Sequence, residues 1–449
     1  MKLHLAPRRD GSALIVALIV TAIIGINLVS YLALVRQQNR LNMRSLTWNS
    51  AIALAEAGAE EAIAHMNRNY AGGLTSEGWS FTNGNYTMTR TLGDGYYTVQ
   101  IQSNLNPVIT SYGYVQIPAS ILAAGPGPVF AAAGVSVSGY ANRGVRVVIT
   151  NSPLFVKSLV AKYDIDLKGN NMYSDSFDSS TNTYSTGGLY DATKRRDNGD
   201  IASNSSLTNS IHGGNATVYG SVATGPGGSV LIGSSGAVGT IAWIGAGNYG
   251  IQSGRYKDDM NVSFSSVDAP YSTATAPPGP VNLSGTNWGA GTNYTYVVGD
   301  GDWLLTSISL AGNQTILVNG KARLYVTGDF SMSGQSTLVI APGASLKTYF
   351  GGNATLTGQG IYNMAGNALN CQFYGLDTCT QFKLSGQPSF TGVLYAPNAE
   401  YTATGNGIYY GAVVCKTAKF SGNSSYHYDE ALAVFGPGRG YIPIDWKEL

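Results

Sequence analysis

The sequence predicts a mainly β protein: a long N-terminal α-helix, a small antiparallel sheet, then a right-handed parallel β-helix or similar solenoid. Three observations point there. The chain of 449 residues opens with an unbroken apolar run. Its composition, with 58 Gly, 29 Tyr and only 11% charged residues, disfavours helix and favours strands separated by tight turns. From Ala119 onward, short strand-like segments follow one another with Gly, Ser, Asn or Pro at the corners.

The helix comes first. Ser12 to Leu34 carries no charge, and at about 1.5 Å per residue it is long enough to cross a hydrocarbon core of about 30 Å. Lys2, Arg8 and Arg9 precede it and would hold that end in the cytoplasm, so that everything after Arg36 is exported. An ordinary secretory signal has a shorter apolar region followed by a cleavage site. Here Gln37 to Arg68 continues in good helix formers, with Leu41, Trp48, Ile52, Ala55, Ala59, Ala62, Ile63 and Met66 near i, i+3, i+4 spacing. The expectation is one helix over 12–70, apolar in its first half and amphipathic in its second.

Alternation of apolar and polar residues then predicts strands at Tyr86 to Thr91, Tyr96 to Ser103 and Val108 to Ile117, with Asp94 and Gly95 as a turn. They form a small sheet over 71–118 against the end of the helix.

A short basic leader ending in Gly11, a helix starting at once, and "ALAEAGAEEAI" at its far end resemble type IV prepilins, and within them minor pilins with a PilX-type N-terminus. The resemblance implies a leader at 1–11, cut by a prepilin peptidase between Gly11 and Ser12, methylation of the new N-terminus, and a pilin-like head at 71–118. Further implications are residence in the inner membrane as a prepilin and assembly with other pilin subunits into a periplasmic or extracellular filament. Major pilins carry a glutamate where this chain has Val16, which favours a minor, initiating or tip subunit. An unprocessed single-span anchor and a pilus-independent surface scaffold are the plainer readings.

Residues 119–267 and 286–449 read as two parts of the solenoid, because each short strand is too small to bury a face alone and one coil must cover the next. Two β-sandwiches are the alternative, but those want longer strands. The Pro-rich segment 268–285 reads as a linker or external loop between the parts. The aromatic tail "VFGPGRGYIPIDWKEL" is expected to cap the second part. "YAPNA" with Tyr395 and Pro397, "GAVV", and "HYDEAL" with His427 and Asp429 resemble a C-terminal domain fused to PilX-type N-termini in large bacterial surface proteins.

Chemistry is sparse. A net charge of +1, with no basic run beyond Lys194 to Arg196, excludes a nucleic-acid footprint. Cys371 and Cys379 bracket a loop that one disulfide could staple, or they pack as two thiols; Cys415 reads as a small buried hydrophobe. Asp164, Asp166, Asp175 and Asp178 offer oxygen ligands for calcium but lack the loop spacing of a known calcium motif; no other cofactor is expected. His427 and Asp429 could pair as base and orienting carboxylate, with Ser421, Ser424 or Ser425 near by, or could lock the final coil by hydrogen bonds. "GPGG" at 225–228 lacks the Lys of a phosphate loop. Tyr401, Tyr409, Tyr410, Tyr426 and Tyr428 could stack on a surface glycan or simply satisfy β-propensity. The two readings of the whole are a non-enzymatic filament subunit displaying a structural or adhesive solenoid, and a membrane-tethered β-helix enzyme, polysaccharide lyase-like, acting on surface glycans.

Overall fold

A computed structural model describes residues 10–69, 73–104, 106–117, 139–168, 172–283, 293–357, 360–386 and 389–449. The fold is mainly β with one long N-terminal helix, and the chain divides at Ser152 and Arg439 into two compact units.

The first unit is built on helix α1, Asp10–Asn69, 60 residues without a break. Absence of Pro and abundance of Ala, Leu and Glu let it run that far. Along its first half Leu14, Leu18, Ile24, Val29 and Leu34 are all exposed. In its second half Ala51, Ala55, Ala59, Ala62 and Met66 are buried against an antiparallel sheet of β1 (Ser80–Thr82), β2 (Asn85–Leu92), β3 (Gly95–Gln102), β4 (Val108–Gln116) and β5 (Tyr140–Pro153). Tyr97, Val99, Ile101, Ile109, Val145 and Val147 alternate toward the helix to make this core. Helix and sheet approach closely because both faces are small. A Cβ on Gly113 would lie 2.1 Å from Ala51 O and 2.6 Å from Ala55 N, and one on Gly58 would lie 2.5 Å from Ser111 Oγ.

The sheet is larger than the 71–118 expected. Residues 140–152, assigned to the solenoid by their sequence, form most of β5, because Val145, Val147 and Ile149 complete the core under the helix. The part of that assignment at 119–138 lies outside the described residues. The tail is corrected as well. Gly438–Glu448 does not cap the solenoid; it pairs along β5 as the edge strand. Its charges explain the choice: Glu448 pairs with Arg143, Asp445 lies 3.8 Å from Arg146, and Asn67 at the end of α1 holds both backbone groups of Tyr441.

In the second unit parallel strands stack in three ladders. One runs Leu324, Thr348, Phe373, Leu394, Val413, Leu159, Ile201, Val222. A second runs Ile308, Phe330, Ala354, Phe382, Tyr401, Ala418, Ile165, Ile211, Val230. A third includes Val297, Leu317 and Val339 at one end and Phe390, Tyr409, Tyr426, Ser174, Val218, Val238 and Ile251 toward the other. Inward residues of each rung thus cover those of the next, and large apolar side chains fill the middle.

The order of rungs is not the order of the chain. The chain enters the stack in its middle at Leu159–Ala161 and builds to one end at Tyr256–Lys257. It then returns to the opposite end and climbs back, so that its last rung, Ser425–Asp429, pairs with Tyr173–Phe177 among its first. The return is made by residues 258–283, which include the Pro-rich segment. This segment does not split the stack; it straps it. Met260 N bonds Thr224 O, Asn204 brackets Val262, Ser265 O accepts from Tyr395, Tyr271 bonds Trp303 O, and Pro278 O accepts from Val297 N. These contacts follow one another down the stack. Beneath the strap Val262, Phe264 and Val267 pack on a second apolar layer that includes Phe155, Tyr374, Tyr395, Val414 and Tyr428.

Candidate functional site

Two places carry functional information: the anchor helix and the seam where the last rung meets the first. Gly11 and Ser12 lie in the opening turn of α1. The following helix, Ala13–Arg68, holds an apolar window of mean hydropathy 2.6 with none of it buried, so about 20 residues of greasy surface are left for lipid or for other helices. Where α1 leaves this segment and meets the sheet, polar groups lock it. Glu61 accepts the Tyr97 hydroxyl and pairs with Arg90 at 2.5 Å, and Trp79 Nε1 donates to His65 Nδ1 at 2.9 Å. Burial, reinforced by the hydrogen bond to Glu61, pushes the Tyr97 hydroxyl up to about 12.

At the seam, Asp175 is fully buried and Oδ1 lies 2.6 Å from His427 Nδ1. Its Oδ2 accepts from Tyr173 and Tyr190, each at 2.7 Å. The His427 ring is held between Tyr190, 3.8 Å away centroid to centroid, and Tyr410, 5.0 Å away. Arg195 bonds the Tyr173 hydroxyl at 2.5 Å and lies over the Tyr219 ring. Burial first, then the Asp175 charge, drives the hydroxyls of Tyr173 and Tyr190 well above the usual tyrosine range, which keeps both as donors to the carboxylate. Glu430 is equally satisfied, by Arg196 at 2.7 Å, Ser176 at 2.7 Å and Asn198 at 2.9 Å.

This arrangement reassigns several residues. His427 does not pair with Asp429; its carboxylate is Asp175, which sequence alone placed in a calcium cluster. Asp429 instead accepts from Ser179 N and Ala431 N, and burial raises its carboxyl above the ordinary range. The four aspartates do not converge: Asp166 accepts from Lys168 N, and Asp178 accepts from Ser180 N, while the Asp164 carbonyl accepts from Ala418 N. Among the described residues no group of three His, Cys, Asp or Glu is placed to hold a metal. Cys371, Cys379 and Cys415 are all free and buried, so of the two readings left open for Cys371 and Cys379 the structure has packed thiols, and burial pushes the Cys379 thiol up to about 11. Tyr401, Tyr409, Tyr426 and Tyr428 are interior rather than displayed to a glycan; Tyr401 and Tyr426 join hydroxyl to hydroxyl at 2.5 Å inside the stack. Tyr395 is buried under the strap, and Pro397 sits where the ladder register shifts between Ala396 and Glu400.

Sequence reading missed Tyr190 and Arg195. Their only signal was a Tyr and basic residues inside a polar excursion between two strands, which by itself is ordinary.

Residues 281–435 match a family described as "Domain of unknown function (DUF7305)". The match begins at the end of the strap and stops just after the seam. No curated protein matches the chain. Among solved structures, the crystal structure of competence-associated pilin ComZ from Thermus thermophilus aligns over 90% of this chain and 97% of its own, at 11% identity. The TM-score of 0.21 is too low for that alignment to argue a shared fold.

Proposed function

We propose that this chain is a non-enzymatic minor pilin-like subunit of a type IV pilus or related secretion filament. Its helix is cut after Gly11 and anchors it in the inner membrane until assembly, and its stack, read as a right-handed parallel β-helix, is carried outside as a structural or adhesive element. The observation that carries this reading is the division of α1. One continuous rod leaves an apolar first half wholly uncovered and commits its second half to a sheet through Ala and Gly contacts. A simple tether needs neither the continuity nor the close-packed head, whereas a helix that must pass from lipid into a bundle needs both.

The seam supports display over catalysis. An orienting carboxylate on His427 Nδ1 is half of a catalytic arrangement, but both faces of the ring are covered by tyrosines and the surrounding charges are already paired. The test is the N-terminus of protein extracted from membranes of the native host. The expected result is a chain beginning at Ser12 with a methylated amine; a chain beginning at Met1 overturns the proposal.

A further inference from the structure

The charges on α1 are placed unevenly. From Gly11 to Ala55 the chain has no Asp or Glu, and the charged residues it does have there are Arg36, Arg40 and Arg44. Standing four residues apart, they share one face of the helix within about 80° of arc. Like charges at this spacing destabilise a helix. On the exported flank they do not help to orient the segment either, because that bias works through basic residues on the cytoplasmic side. Arg36 and Arg44 are exposed, and among the described residues neither is in an ion pair. The tail's acid nearest in pairing, Glu448, is held by Arg143, the arginine that lies over the Trp48 ring.

We propose that this arginine face binds the phosphates of anionic glycerophospholipids in the leaflet on the exported side. Depth selects that occupant. The three arginines are two, six and ten residues past Leu34, which the helical rise converts to about 3, 9 and 15 Å beyond the hydrocarbon. The headgroup layer on each side is roughly 5 to 8 Å deep. Side chains on a helix lean toward its N-terminus, and here that direction is the bilayer, so all three guanidinium groups are drawn down toward the phosphates. An acidic side chain of a neighbouring subunit would have to enter the headgroup layer to meet Arg36, whereas a lipid phosphate is already level with it. Each guanidinium can donate two parallel hydrogen bonds to phosphate oxygens, and an anionic lipid supplies the negative charge that this stretch of helix lacks. The inference rests on the spanning helix of the proposed function, and on neither its cleavage nor its assembly.

The test uses the full chain in phosphatidylcholine vesicles that contain a minor share of phosphatidylglycerol. Electron paramagnetic resonance with spin-labelled versions of the two lipids reads the fraction of each held at the protein. Phosphatidylglycerol is expected to be preferred by at least about threefold, since each arginine near an anionic surface favours binding. Arg36→Gln, Arg40→Gln and Arg44→Gln together should remove most of that preference, and the same three positions changed to Lys should keep it. Lys2, Arg8 and Arg9 stay in every variant, so whatever they hold in the opposite leaflet cancels. Equal retention of the two lipids, which an acidic neighbouring subunit as the occupant also requires, overturns the proposal. So does a Gln variant that keeps the preference, a Lys variant that loses it, or displacement of the lipid by inorganic phosphate at matched ionic strength. The readout is the same whether or not the chain is cut after Gly11, so its failure is distinct from failure of the filament reading.

Discussion

The two units bring backbones together by opposite means. In the first, a helix lies on a sheet because Ala51, Ala55, Gly58 and Ala59 face Gly113 and Ser111, and the contact works by what is missing from it. In the second, Phe330, Phe350, Phe373 and Phe382 interlock edge to face and tilted, and the contact works by what fills it. Removing atoms should therefore injure the stack, and adding them should injure the helix–sheet contact.

The largest effect expected is Phe350→Ala. The ring is fully buried with three aromatic neighbours at 5.3 to 5.7 Å, so truncation should cost about 4 kcal/mol in transfer and cavity terms. Because each rung contacts chiefly its neighbours, the loss of amide protection should centre on the rungs at 321–326 and 371–375 and leave the first unit untouched. Denaturant unfolding with hydrogen exchange reads both quantities; a loss spread evenly over the chain would argue against independent units.

Next comes the converse, Gly113→Ala. A single methyl must displace helix backbone at Ala51 and Ala55, which overpacking of this kind makes worth about 2 kcal/mol. Protection should fall along 51–66 and β4 while the stack keeps its own. An equal substitution with no effect would mean that the helix lies farther from the sheet than the structure places it.

What the sequence made legible follows the same division. The helix was readable because periodicity and the lack of Pro are local signals. The two strands that complete its sheet, β5 and the tail, were not, because Gly144 and Leu449 meet across 305 residues of chain and pairing at such separation leaves no local trace. Short strands with turn residues gave the stacking but not its order, since rungs of similar length are interchangeable until a specific contact chooses among them. Asp175 and His427, 252 residues apart, make that contact at the seam. The tyrosines stayed open between display and packing for want of phase: in strands as short as these, one residue's shift exchanges inside for outside, and the strap then covers Tyr374 and Tyr395, which belong to the second apolar layer.

The smallest effect sharpens the first unit alone. Tyr97 is a polar member of a mostly apolar helix–sheet contact, with its hydroxyl on Glu61. Its folded-state pKa is raised from 10.0 to about 12 by burial and then by that carboxylate. The stability it confers is therefore fully present below pH 10 and is lost as pH rises from there through about 12. Tyr97→Phe removes the ionisable group along with the hydrogen bond, costing about 1 kcal/mol at neutral pH but flattening the alkaline decline. Near-ultraviolet absorbance at 295 nm with parallel exchange at Val99 and Ile101 follows ionisation and opening together. If wild type and variant lose protection along the same alkaline curve, Tyr97 is not the group that ties the head to its helix. A decline confined to the wild type places that tie at a single hydroxyl.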